Sequence, residues 1–308
     1  MRVCVTGAGG YLGRVLVEHF SRLPEVESIT AVDLAPPAGA LPVIARFVEM
    51  DVRSPGIADV IAGHQAVVHT AFVVQWPANM SARERQEINL TGTRNVAQAA
   101  VANRVRRFIY ASSVAAYDPE LARGQSVLDE NFPLGRGLSP FYYANDKAAT
   151  ERDLATLLAN PDIILTSLRP HFIVGPGRIE TVAALRASNI VFRGHDPRLQ
   201  FVHEDDVAAA FVQALLTEMP GAFNVVPDDA MRLSQLLHSL GQRRPRQAPL
   251  WAARLYLWIT WRYRASPTHP SWLEGILTDA TASNLRLRAT GWAPRFSCEQ
   301  ALAASAPP

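Results

Sequence analysis

The segment Gly7-Ala8-Gly9-Gly10-Tyr11-Leu12-Gly13 constrains this chain more than any other stretch. It follows a short apolar run, Val3 to Thr6, that reads as a buried strand. It leads into apolar positions at Leu12, Val15, Leu16, Phe20 and Leu23, which have helical spacing. Gly7, Gly10 and Gly13 recur at every third position. In a strand–turn–helix unit the first such glycine permits a tight turn. The second lets backbone approach a pyrophosphate, and the third lets helix and strand pack closely. The helix N-terminus then offers free N–H groups and a partial positive charge to phosphates. Tyr11 and Leu12 lie in the same turn and join the glycines as candidate cofactor contacts.

The alternation continues. Ile29 to Val32, Arg46 to Met50, Ala66 to His69, Arg107 to Ala111 and Ile163 to Leu168 read as strands. Helical patterns fall around Ile57 to Ile61, Ile88 to Asn103 and Tyr143 to Leu158. Strands alternating with helices predict βαβ units and a parallel sheet covered on both faces, hence an α/β fold with a doubly wound sheet. After Arg169 the pattern is irregular, with a strand at Gln200 to His203, a helix at Asp205 to Leu216 and a strand at Phe223 to Val226. The C-terminal third is helical and rich in Trp and Arg, and reads as a smaller lobe over the sheet's carboxyl edge. The expected division is residues 1–174 for the dinucleotide-binding domain, with 200–226 returning to it. Residues 175–199 and 227–308 form the mostly helical substrate-binding lobe.

Composition excludes several classes. The 308 residues are 48% apolar and 19% charged, as in globular proteins. The net charge of +2 demands neither nucleic acid nor an anionic membrane. Of the two cysteines, Cys4 lies in an apolar strand, so a disulfide framework is not expected and a reducing compartment suits the chain. No Cys/His cluster has zinc spacing, and no metal is expected. The N-terminus shows no signal-peptide pattern, and no run of about 18 apolar residues suggests stable membrane insertion. The expectation is a cytoplasmic protein acting on a small molecule.

Asp33 ends the second strand, 20 residues after Gly13. A carboxylate there accepts hydrogen bonds from ribose hydroxyls and repels a 2′-phosphate, which favours NAD over NADP. Asp51-Val52 ends the third strand and can hold adenine, the carboxylate on the exocyclic amine and the valine against the ring. Ser113 follows the fifth strand, and Tyr143 and Lys147 share one face of the next helix. A phenol with pKa near 10 is a poor acid–base group at neutral pH, and a nearby ammonium lowers that pKa. Lys147 can also hold a nicotinamide ribose, and Ser113 can orient a reacting oxygen.

These segments, in this order, resemble the extended short-chain dehydrogenase/reductases, the NAD-dependent epimerase/dehydratase family, over nearly the whole chain. Thr6 to Gly13 is similar to the family's glycine motif. His69-Thr70-Ala71 resembles the motif whose backbone lies along the cofactor. Asn89 to Thr93 resembles the Asn-x-x-Gly-Thr helix, and Tyr110 to Ser113 followed by Tyr117 the segment bearing the catalytic Ser. Leu168-Arg169-Pro170 with Gly175-Pro176-Gly177 resembles the crossover into the substrate lobe. Phe201 to Val207 and Leu287 to Pro294 resemble the later strand–helix and closing segments. The resemblance implies a Rossmann fold, NAD held in part by Thr70, Ala71 and Pro170, and hydride transfer at a carbinol or carbonyl carbon by Ser113, Tyr143 and Lys147. It also implies a homodimer built on the helices near Ile88 to Asn103 and Tyr143 to Leu158. Within the family the nearest look is to UDP-glucose 4-epimerase-like members. Where nucleotide-sugar members carry an Asn this chain has Phe172, and where they carry a diphosphate-holding Arg it has Leu199, with Arg198 beside it.

Three outcomes stay open: a nucleotide-sugar epimerase or dehydratase that retains NAD, a hydroxysteroid-type reductase or dehydrogenase of an apolar alcohol or ketone, and a non-catalytic NAD-binding regulator. Phe72, Trp76, His171 and Phe172 are the candidate substrate contacts, although Trp76 and His171 read equally as an exposed loop residue and a structural histidine. His203 reads as a buried structural residue. Leu250, Trp251, Leu255, Trp258, Ile259 and Trp261 read as core or dimer packing, with a lid or an interfacial membrane contact as the alternatives. Arg243, Arg244 and Arg246 read as a solvated loop, with a substrate phosphate as the alternative.

Overall fold

The computed structural model describes residues 1–123, 127–176, 190–241, 245–263, 266 and 268–305. Gly177, Arg243 and Arg244, singled out above, lie outside the described residues.

Seven strands form one parallel sheet: β1 (Arg2–Thr6), β2 (Ser28–Asp33), β3 (Ala45–Glu49), β4 (Ala66–His69), β5 (Arg107–Ala111), β6 (Ile164–Pro170) and a closing strand, Gly221–Val225. Their spatial order is closing strand, β6, β5, β4, β1, β2, β3. The chain starts in the middle, winds out to β3, then returns beside β1 and winds out the other way. Thr6, at the end of β1, pairs with Val32 on one side and His69 on the other. The winding reverses between β1 and β4, which opens a crevice at their carboxyl ends.

Alternation along the strands feeds two cores. Val3 and Val5 face Leu16 and Phe20 of the helix Tyr11–Phe20 and Phe211 and Leu215 of the helix Glu204–Leu216. Cys4, Val67, Phe108 and Tyr110 face Val96 and Leu154 on the other side. A third cluster joins Val174, Leu199 and Phe201 to Leu233, Leu236, Cys298 and Leu302. Both cysteines are buried and free. His203 is structural: its ring accepts from Asp205 N at 3.1 Å as the cap of Glu204–Leu216 and stacks on Phe296 at 3.9 Å.

Two expectations need correction. The helix expected from Ile88 begins earlier, at Ala82–Gln86, because Ser81 accepts from Glu84 N at its N-terminus; it passes through a π-turn at Glu87–Thr91 and resumes at Gly92–Ala102. The helix Leu250–Arg262 is not core packing within the chain, for none of its residues is buried. Its apolar residues at 251, 255, 258 and 259 share the face turned away from the protein. Among the described residues no helix is long and apolar enough to cross a membrane.

The tightest approach in the first unit is at Gly13, where a Cβ would fall 2.1 Å from Gly7 O and 2.8 Å from Ala8 Cα. Gly13→Ala is therefore expected to lower the unfolding free energy in urea by about 2–3 kcal/mol. A loss below ~0.5 kcal/mol would contradict this packing.

Candidate active site

The glycine turn presents bare backbone to the crevice. Gly7 has φ of +77°, and a Cβ there would fall 2.4 Å from Ala71 N, so the chain after β4 lies directly against the turn. Thr70 fixes that contact, its hydroxyl donating to Thr6 O at 2.8 Å. Gly10 caps the first helix; no side chain caps it, and no acidic residue stands in the first turn. A Cβ on Gly10 would meet only Gly7 O, at 3.2 Å. Among the described residues its outer side is thus open, the form a pyrophosphate cradle requires. Tyr11 and Leu12 contribute backbone here. Leu12 packs on the sheet core, and the Tyr11 hydroxyl donates to the Glu204 carboxylate.

Asp33 stands beside the turn, Oδ2 accepting from Gly9 N at 2.8 Å and Oδ1 from Leu34 N at 2.7 Å. Each oxygen keeps a lone pair for a ribose hydroxyl. Val52 is buried against Gly92, and Asp51 is paired with Arg53 at 2.5 Å, a partner the sequence reading did not use. The Arg53 hydrogen bond holds the Asp51 carboxyl below its usual range.

Lys147 and Ser113 lie at the carboxyl ends of β5 and β6. Lys147 is buried on the helix Tyr142–Leu157, one turn after Tyr143. Its Nζ donates to Ala111 O at 2.6 Å and Tyr110 Oη at 3.2 Å, and lies 3.6 Å from the Phe72 ring centre and 5.7 Å from that of Tyr143. Burial pushes its pKa down to about 7 against the opposing pull of Glu151 and Asp146. Ser113 lies two residues beyond Ala111; its hydroxyl donates to Pro170 O at 3.3 Å and accepts from Ala115 N at 3.2 Å. Beneath them Glu151 accepts from Ser112 and from Arg169, at 2.6 and 2.8 Å for the guanidinium.

The surroundings of Tyr143 are aromatic. Trp272 stacks on Tyr143 with ring centres 5.2 Å apart, Phe72 meets Tyr143 edge-on at 5.8 Å, and Phe141 lies 5.7 Å away. Trp76 is half-buried rather than exposed: it stacks on His269 at 4.7 Å and packs against Tyr142 and Trp261. Arg85 is buried between the Trp76 and Tyr142 rings and paired with Asp146 at 3.2 Å. His171 accepts from Phe172 N at 3.0 Å, and burial lowers its pKa to about 4, so it is neutral at working pH. Phe172 stacks on Phe201 within the third core cluster, at 5.6 Å. Leu199 is buried, and Arg198 is tied to Asp279 at 3.2 Å. Sequence reasoning missed Trp272, Phe141, His269 and Arg85. Only Arg85 had a local signal, its place in the first turn after the Ser81 cap.

Residues 3–225 match the profile of the NAD dependent epimerase/dehydratase family. An uncharacterised protein of Mycobacterium tuberculosis is 31% identical over 254 residues, covering 78% of this chain and 66% of that protein. Short-chain dehydrogenase/reductase family 42E member 1 of Danio rerio is 30% identical over 232 residues, covering 68% of this chain and 57% of that protein. The chain therefore spans less than two thirds of the length of these curated relatives. The fold is similar to that of UDP-glucose 4-epimerase from Thermus thermophilus, solved in complex with NAD: TM-score 0.73, 23% identity, 99% of this chain and 97% of that one.

Gly10→Ala separates binding from folding. Its stability in urea is expected within about 1 kcal/mol of the parent, because φ is −71° and only one atom stands near. NAD affinity by calorimetry should fall by about tenfold; an unchanged affinity would refute the cradle.

Proposed function

This chain belongs to the NAD-dependent epimerase/dehydratase family, and from that premise we propose that it transfers hydride at the carbinol or carbonyl carbon of an apolar small molecule, with Ser113, Tyr143 and Lys147 as its acid–base set. One observation carries the reading. Lys147 ties the helix bearing Tyr143 to Ala111, at the end of the strand that leads into Ser113, at 2.6 Å.

The residues fit NAD. Gly7, Gly10 and Gly13, with the backbone of Tyr11 and Leu12, would hold the pyrophosphate, and Asp33 the adenosine ribose. Asp51 and Val52 would flank adenine, and Thr70, Ala71 and Pro170 would line the nicotinamide half, whose ribose Lys147 would hold. NAD supplies the hydride acceptor or donor when bound. The chain's own residues handle the proton. Ser113 hydrogen-bonds the substrate oxygen, Tyr143 takes its proton in oxidation and returns it in reduction, and the Lys147 ammonium stabilises the phenolate.

The apolar substrate class is supported by the rings of Trp272, Phe72 and Phe141 around Tyr143. The nucleotide-sugar alternative finds less support: Phe172 packs inward on Phe201, and Arg198 is committed to Asp279. Residues 175–199 and 227–308 serve in this reading as the substrate lobe, with Trp272 reaching back to Tyr143. A homodimer through the helices Gly92–Ala102 and Tyr142–Leu157 and a cytoplasmic setting complete it. An enzyme of this kind exchanges its cofactor each turnover, so protein denatured after purification should release little NAD; stoichiometric release would favour the retained-cofactor epimerase.

Tyr143→Phe is expected to lower kcat by about 10³-fold while NAD affinity stays within about threefold. Retained turnover would sink the assignment. The pH profile tests Lys147 separately. His69 and His171 have pKa values lowered by burial to about 3 and about 4, and so carry no titration between pH 6 and 9. Oxidation should therefore lose rate on the acid side as the Tyr143–Lys147 pair gains the proton that converts the phenolate, already facing the ammonium, to a phenol. Removing the ammonium in Lys147→Met raises the phenol's pKa, so the limb in residual kcat/KM should move to higher pH by about one unit or more. A limb that stays in place would show that Lys147 does not tune Tyr143.

A further inference from the structure

The helix Leu250–Arg262 carries an apolar stripe that the fold leaves uncovered. Trp251, Leu255, Trp258 and Ile259 share one face by their spacing and are between 42% and 69% exposed. Tyr256 and Tyr263 beside them are 63% and 75% exposed. On a helix of a globular domain such a stripe normally turns inward. Here the opposite face is anchored instead, Trp261 Nε1 donating to Trp76 O at 2.7 Å.

Charge narrows what can cover the stripe. From residue 230 to 273 the sequence holds no Asp or Glu and seven arginines, in a chain whose net charge is only +2. Of these, Arg243, Arg244 and Arg264 lie outside the described residues. Arg254 is answered by Glu274 at 2.7 Å, while Arg246 and Arg262 are exposed at the two ends of the region. A second copy docked stripe to stripe would bring these like charges together. Phosphate head groups would instead complement them, and Trp and Tyr are the side chains that favour the boundary between head groups and acyl chains. A helix of 13 residues is too short to span a bilayer but suited to lie in its plane.

We propose that this helix seats the protein on an anionic lipid surface. The stripe enters the head-group boundary, and Arg246 and Arg262 meet lipid phosphates. Through Trp261 and Trp76 the other face of this helix adjoins Tyr142, next to Tyr143. The use of this arrangement, access of an apolar substrate from the bilayer, rests on the function proposed above; the docking itself needs neither substrate nor NAD.

The test is co-sedimentation of the full chain with vesicles of phosphatidylcholine alone or mixed with about 30% phosphatidylserine, without NAD or substrate, at low and high salt. Most of the protein should sediment with the anionic vesicles at low salt, little with the neutral ones, and high salt should release it. Trp251→Gln with Trp258→Gln should weaken partitioning by about tenfold, and Arg262→Glu by about fivefold or more. Both variants should keep the parent's thermal transition and NAD affinity, since these side chains are exposed. Three results would overturn the proposal: no sedimentation with anionic vesicles at low salt, variants that bind as the parent does, or ultracentrifugation showing that the stripe closes a dimer which the double substitution dissolves. If NAD affinity is absent in parent and variants alike while vesicle binding stands, the functional reading fails and the docking surface does not.

Discussion

The buried ammonium of Lys147 is the constraint on which the rest of the site depends. It hangs from Ala111 O and Tyr110 Oη under the Phe72 ring, at the point where the carboxyl end of β5 meets the helix bearing Tyr143. Folding lowers its pKa from 10.5 to about 7. Holding it therefore costs stability that is fully present below about pH 7 and vanishes as the pH rises through the unfolded value. Glu151 and Asp146 only partly offset the cost of its burial. The expense makes sense if the ammonium's work is on Tyr143 and on a ribose.

That position is transmitted from the glycine turn by a short chain of polar contacts. Thr6, at the end of β1, bonds His69 at 2.6 Å, and His69 bonds Thr93 at 2.9 Å. Thr93 donates to Asn89 O at 2.6 Å, and Asn89 in turn donates to Asp146 at 3.0 Å while accepting from Val73 N at 2.7 Å. Burial keeps His69 neutral, with its pKa at about 3, so this link is insensitive to physiological pH. The turn, the loop that carries Phe72 and Trp76, and the helix that carries Tyr143 and Lys147 are thus held in one register. The π-turn at Glu87–Thr91 lies at the centre of this network, with Asn89 buried in it.

The parallel, doubly wound sheet was legible because the glycine turn and the strand–helix alternation are local patterns with few topological solutions. The places of Ser113 after β5 and of Tyr143 and Lys147 at the start of the helix Tyr142–Leu157 were legible because they follow the strand–helix alternation. The aromatic surround was not, since Trp272 reaches Tyr143 across 129 residues and no periodicity records such a contact. Nor could the sequence show that Phe172 turns toward Phe201 or that Arg53 occupies Asp51. The Trp-rich helix failed for a different reason: its spacing is that of a core helix, and only the three-dimensional context shows which way the stripe faces. The near-zero net charge likewise hid a 44-residue stretch without acidic groups.

Hydride exchange between nicotinamide and an apolar carbonyl lies at the centre of this account. The direct measurement is mass spectrometry of the products formed when the protein is incubated with 4-deuterated NADH and a panel of apolar ring ketones. The account predicts an alcohol carrying one deuterium at the carbinol carbon. An absence of transfer to every ketone, with interconversion of UDP-sugars and no uptake of deuterium, would contradict it.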